Sequence, residues 1–281
     1  MAVSLLALAL AGAGLWWLTR TRAKTADAGA ELVVYCAAGV SPAVAPILKQ
    51  FRAERRGKAR LQVGPSGVLE TQLRLANEGD LFIPAAADPY LLRLRESGKV
   101  SEIVPVARMR LVLACSPYGS LGVGSLPELI ESGVSYGLCN VQAAAGQRTR
   151  ESLEAHGLWD TASRAATASF STVTELAEAV RNGGRLRAGI VWSTTARQFG
   201  LRAIDLPELE GSEAVIGAGV LASSGHAAAA RRLARYLVAP DGGRTILLRQ
   251  GYLVDGSGLA SPPGAVRSPL QAAEAEGTID E

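Results

Sequence analysis

Four short turns hold most of the chemistry this sequence offers: "AAGVSP" (37–42), "GPSG" (64–67), "QAAAG" (142–146) and "FSTV" (170–173). Each stands where a helical pattern begins, and each is built from small, uncharged residues. The first N–H groups of a helix lack partners within it, and the aligned peptide dipoles place about half a positive charge there. Several such starts converging on one cleft make an anion site without lysine or arginine. Small residues let the backbone approach a ligand closely, and a hydroxyl such as that of Ser66 adds a further donor. Neutral donors also select by protonation, because a fully ionised oxyanion needs donors only. Taken singly, the same residues are plain caps and turns, since Ser41, Ser66 and Thr172 all suit a helix start.

Other candidate sites are weaker. "GVSYG" (133–137) matches the nucleophile elbow with Ser135 at its centre, but it follows a helix and opens a strand, the reverse of the order an elbow needs. "GAGVLA" (217–222) matches a dinucleotide-binding fingerprint, yet it lies inside a strand pattern instead of opening a helix. No Walker A lysine is present, so the chain is not itself an ATPase. His156 and His226 are far apart, with no cysteine or carboxylate at ligand spacing, which argues against zinc. Cys36, Cys115 and Cys139 are an odd set embedded in apolar runs and read as buried thiols. Lys and Arg number 29 against 26 Asp and Glu, with no basic block to track phosphates, so nucleic acid is excluded as a partner. A chain of 281 residues with 48% apolar and 20% charged content buries a core, which excludes disorder, collagen and coiled coil.

The elements that must position the turns alternate short apolar runs with helical patterns, the signature of an α/β fold with parallel strands. "ELVVYCAA" (31–38) reads as a buried strand and 41–57 as a helix, with Ser41 as N-cap and Pro42 in the first helical position. A strand at "ARLQVG", a helix from about Val68 to Asn77, a strand at 80–86 and a helix at "DPYLLRLRESG" follow. "RMRLVLACS" (108–116) reads as one long strand able to cross between domains, and 213–224 as a second extended run that returns. Between them lie further strands and helices, one opened by the capping box Thr172-x-x-Glu175. The pattern therefore gives lobe I over 31–112 plus 219–255, lobe II over 113–218, and a cleft between them. Residues 256–281 read as a flexible, solvated tail. Val3 to Leu18 is an uncharged apolar run closed by Trp16 and Trp17, and residues 1–30 read as a membrane anchor or signal segment.

In order and spacing, "VVYCAAGVSPAV", "VGPSGVLETQL", "GDLFIPAA", "RMRLVLACSP", "LCNVQAAAGQRTRESL", "RAGIVW" and "ARYLVAPDGGRTILLRQGY" resemble the molybdate-binding periplasmic component of ABC importers. The resemblance covers about residues 31–255. It implies a type II periplasmic-binding-protein fold, α/β, each lobe a central sheet flanked by helices, joined by two crossover strands. It also implies a binding protein, not an enzyme, that holds molybdate or tungstate between the lobes and needs no further cofactor. Carried over by position, the ligand-binding residues are Ala38, Gly39, Ser66, Ala145, Val173 and Trp192. Two of these depart from the family pattern. Gly39 replaces a serine and offers only its N–H unless Ser41 reaches in, and Trp192 replaces a tyrosine and offers an indole N–H. The implied partners are a membrane permease with its cytosolic ATPase and a small oxyanion, and the implied state is a monomer. Arg20, Arg22 and Lys24 after the apolar run would keep the body in the cytoplasm by the positive-inside rule. The resemblance implies the periplasmic or extracytoplasmic face instead. Sulfate, phosphate or a small organic solute remains the alternative ligand, and a partner module without a ligand is a further one.

Overall fold

In the computed structural model, which describes residues 31–54, 56–118 and 121–254, the apolar run Glu31–Ala37 is strand β1. It lies between two parallel neighbours, β2 (Lys58–Gly64) and β3 (Leu81–Ile83), which explains its nearly unbroken apolar sequence. Helix α1 (Ser41–Ala53) covers this sheet with Ala43, Val44, Ile47, Leu48 and Phe51, spaced as one helical face. Helices α2 (Ser66–Leu75) and α3 (Tyr90–Glu96) continue the strand–turn–helix order. Two strands then run antiparallel to each other: β4 (Val100–Met109) at the sheet edge, and the last strand, β10 (Ala214–Leu221), between β3 and β4.

The second sheet has the order β7-β6-β8-β5-β9. Its strands are β5 (Leu111–Cys115), β6 (Tyr136–Cys139), β7 (Ala168–Phe170), β8 (Ala188–Trp192) and β9 (Arg202–Ile204). Its helices are α4 (Leu126–Glu131), α5 (Ala144–Ala155), α6 (Trp159–Ala165), α7 (Val173–Asn182) and α8 (Ser193–Gln198). Helices α9 (Ala227–Val238) and α10 (Arg244–Arg249) return to the first sheet, where Ala230, Leu233, Ala234 and Leu237 bury one face of α9. The fold is thus α/β with two lobes, each a sheet flanked by helices.

Several expectations need correction. The sheets are mixed, because a chain entering from the other lobe arrives against the local strand direction. Hence β10 is antiparallel to β3, and β5 to β8. The expected strand 108–116 is divided at Arg110, and the chain changes sheet there and again between Ile204 and Ala214. Leu111 and Val112 therefore belong to the second sheet and 214–218 to the first, the reverse of the lobe division drawn from pattern. An apolar run that is buried throughout contains no mark of which sheet buries it. Ser41 is the first helical residue instead of the cap, which is Val40. The expected segment at 1–30 and tail at 256–281 lie outside the described residues.

Two polar fastenings organise the scaffold. Asp80, 5% exposed, accepts the Val33 N–H at 2.8 Å and the Ser224 hydroxyl at 2.6 Å, tying β1 to the turn after β10. At the two crossings, Arg110 donates to both oxygens of Asp205, at 2.5 and 3.1 Å. The three cysteines are buried thiols without a disulfide. Burial lifts the Cys139 thiol to about 12, so it remains protonated. Replacement Asp80→Ala strands the Val33 N–H in the interior and should cost about 2 kcal/mol or more in urea denaturation, with Asp80→Asn losing less.

Candidate functional site

The chain leaves β1 through a tight turn in which Val40 N–H donates to Ala37 O at 3.0 Å and Ala38 N–H to Gly64 O at 3.1 Å. Ser41 Oγ donates back to Ala38 O at 3.1 Å, so the hydroxyl is engaged locally and does not reach the cleft. Ala38 has both backbone groups occupied and contributes a wall. Gly39 differs: its carbonyl accepts the buried Tyr252 hydroxyl at 3.2 Å, while its N–H has no partner among the described residues. Burial pushes the Tyr252 phenol well above the ordinary range, so it stays a neutral donor.

Ser66 opens α2 behind Pro65, which has no N–H to satisfy. Its hydroxyl oxygen accepts the Ala85 N–H at 3.2 Å at a site only 2% exposed. No acceptor among the described residues takes the hydroxyl proton, which leaves it for a ligand.

The other two starts come from the second lobe. At α5, Gln147 N–H closes the first turn on Ala143 O, leaving the N–H groups of Ala144 and Ala145 open. Gly146 permits this start, because a Cβ there would meet Asn140 O at 2.0 Å. At α7 the expected capping box is present: Thr172 Oγ1 accepts Glu175 N–H at 3.2 Å, and Glu175 Oε2 accepts Thr172 N–H at 3.0 Å. The box satisfies two donors and leaves that of Val173. Trp192, fully buried, ends β8 and precedes α8.

Ala38, Gly39, Ser66, Ala145, Val173 and Trp192 all line one cavity of about 20 Å³, together with Pro65, Ala85, Ala144 and Thr172. None of its lining residues carries a charge. Contacts join the lobes beside it: Gly67 N–H donates to Gln142 O at 2.9 Å, and Tyr90 Oη to Gln147 Oε1 at 2.8 Å. Burial also raises the Tyr90 phenol, keeping its proton on that bond. Sequence reasoning missed both bridges, along with Tyr252, because each joins residues distant in the chain. Ser135 immediately precedes β6, and its carbonyl accepts the N–H groups of Arg187 and Ala188. Among the described residues no group of three or more His, Cys, Asp or Glu could hold a metal ion.

Gly39 also sets how close the lobes come. A Cβ on it would lie 2.7 Å from Val173 Cγ1 and 3.4 Å from Trp192 Cδ1. Gly39→Ala should therefore disfavour this arrangement by about 1–3 kcal/mol. Paired spin labels on the two lobes should report a wider separation, and adding Val173→Ala should restore the original one.

The fold recurs in solved structures. The periplasmic molybdate-binding protein of Azotobacter vinelandii aligns with a TM-score of 0.67 at 18% identity, over 79% of this chain and 99% of that one. Iron-bound HitA from Pseudomonas aeruginosa aligns with a TM-score of 0.66 at 18% identity, over 88% and 97%. In sequence, a binding protein of Haemophilus influenzae is 26% identical over 215 residues, 76% of this chain and 87% of that one. Residues 32–253 match the family described as bacterial extracellular solute-binding proteins, and the chain belongs to that family.

Proposed function

We propose that the protein is the receptor of an ABC importer for a tetrahedral oxyanion, molybdate or tungstate, held between the lobes and delivered to a membrane permease with a cytosolic ATPase. The observation that carries this reading is the uncharged cavity lined at four helix starts, with open N–H groups at Gly39, Ala145 and Val173 and a free hydroxyl proton at Ser66. Such donors stabilise a desolvated anion by hydrogen bonds and helix dipoles together. A hydrogen phosphate would also need an acceptor for its proton, and no carboxylate lines the cavity. The apolar run Val3–Leu18 would hold the body at the outer face of the membrane. That run is outside the described residues, among which no helix is long and apolar enough to cross a membrane.

A second reading, a smaller oxyanion such as sulfate, rests on the small volume of the cavity, about 20 Å³. Rigid donors separate the two, because an anion of the wrong span leaves a donor unfilled at about 1–3 kcal/mol. Molybdate or tungstate should raise the melting temperature and sulfate should not. The opposite ranking would establish the second reading, and no shift with any of the three would refute both. Ser66→Ala should weaken binding by roughly tenfold or more in titration calorimetry.

A further inference from the structure

Beside the cavity wall lies a buried hydroxyl with no partner among the described residues. Thr195, on α8, is 0% exposed, and its Oγ1 makes no hydrogen bond among the described residues. Helical threonines usually give the hydroxyl proton to a carbonyl one turn back. Thr71 does so to Gly67 O at 2.9 Å, and Thr149 to Ala145 O at 2.7 Å. Even the adjacent Thr194 has a partner, in Met109 Sδ at 3.4 Å. For Thr195 the residue four back is Val191, in β8, so no helical carbonyl is in place for it. An unpaired hydroxyl in the interior is costly, and it calls for an explanation.

Its surroundings point to one. Thr195 Oγ1 lies 3.7 Å from the point where a Cβ on Gly39 would stand, a point flanked by Val173 and Trp192 of the cavity wall. Gly39 contributes a backbone N–H that has no partner among the described residues, and no side chain. Backbone donor and orphan hydroxyl therefore adjoin across the two lobes, although Thr195 itself is not one of the residues that line the cavity in this arrangement. We infer that Thr195 is a ligand-binding residue, whose hydroxyl donates to the oxyanion oxygen that the Gly39 N–H also holds. The inference rests on the receptor reading above and adds a donor from the second lobe.

The test uses the full chain with Thr195→Val, which keeps the shape and removes the hydroxyl, and with Thr195→Ser, which retains it. Calorimetric titration with sodium molybdate, tungstate and sulfate should show the valine variant about tenfold or more weaker for the preferred anion. The serine variant should stay near the unmodified protein. Without anion, the valine variant should unfold at the same or higher urea concentration, because it loses only an unsatisfied group. Equal affinity in the valine variant would overturn this inference and leave the receptor reading standing. Equal affinity with lowered stability would do the same and assign the hydroxyl to a buried water. If the unmodified protein bound none of the three anions, both would fall.

Discussion

Backbone N–H groups at helix starts cannot be satisfied by their own helices, and the whole architecture is arranged around that deficit. Two sheets end in turns that bring several such starts to one small, uncharged cavity. Residues that could have relieved the deficit internally do not. Ser41 turns back to Ala38, the α7 box closes on itself and spares Val173, and Ser66 offers an oxygen to Ala85 while retaining its proton. A surplus of donors in a cramped, buried space favours negative charge, and the absence of lysine or arginine makes the fit depend on geometry.

The lining side chains follow from the same constraint. Alanine, glycine, proline and valine dominate because anything longer would stand between the backbone and what it binds. Trp192 is the exception, and Gly39 explains how it fits: the missing side chain on one lobe makes room for bulk on the other. A larger residue at 39 would also collide with Val173 in the present arrangement.

Much of this was legible in the chain itself. Period and punctuation marked β1, α1, α5 and α7, and the Thr172–Glu175 box appears as read. All six candidate residues meet at one cavity, although they come from five separate stretches of sequence. What escaped reading depends on distance or on the edge of a sheet. Strand β4 contains Pro105, Ser101 and Glu102, which spoil a strand pattern, and a proline is tolerated there because β4 is an edge strand of its sheet, bridged on its outer side to Leu253 at Arg108. Tyr252 reaches Gly39 across 213 residues, a separation over which local pattern is silent. Thr195 drew no notice in the sequence, and only the absence of a partner among the described residues sets its hydroxyl apart.

The chain passes from one lobe to the other at Arg110 and back between Ile204 and Ala214, and the Arg110–Asp205 pair stitches these two passages together. Both partners face solvent, with side-chain exposures of 44% and 69%. Dissolved salt therefore screens their attraction. The pull between the two passages thus weakens as the ionic strength of the surrounding medium rises.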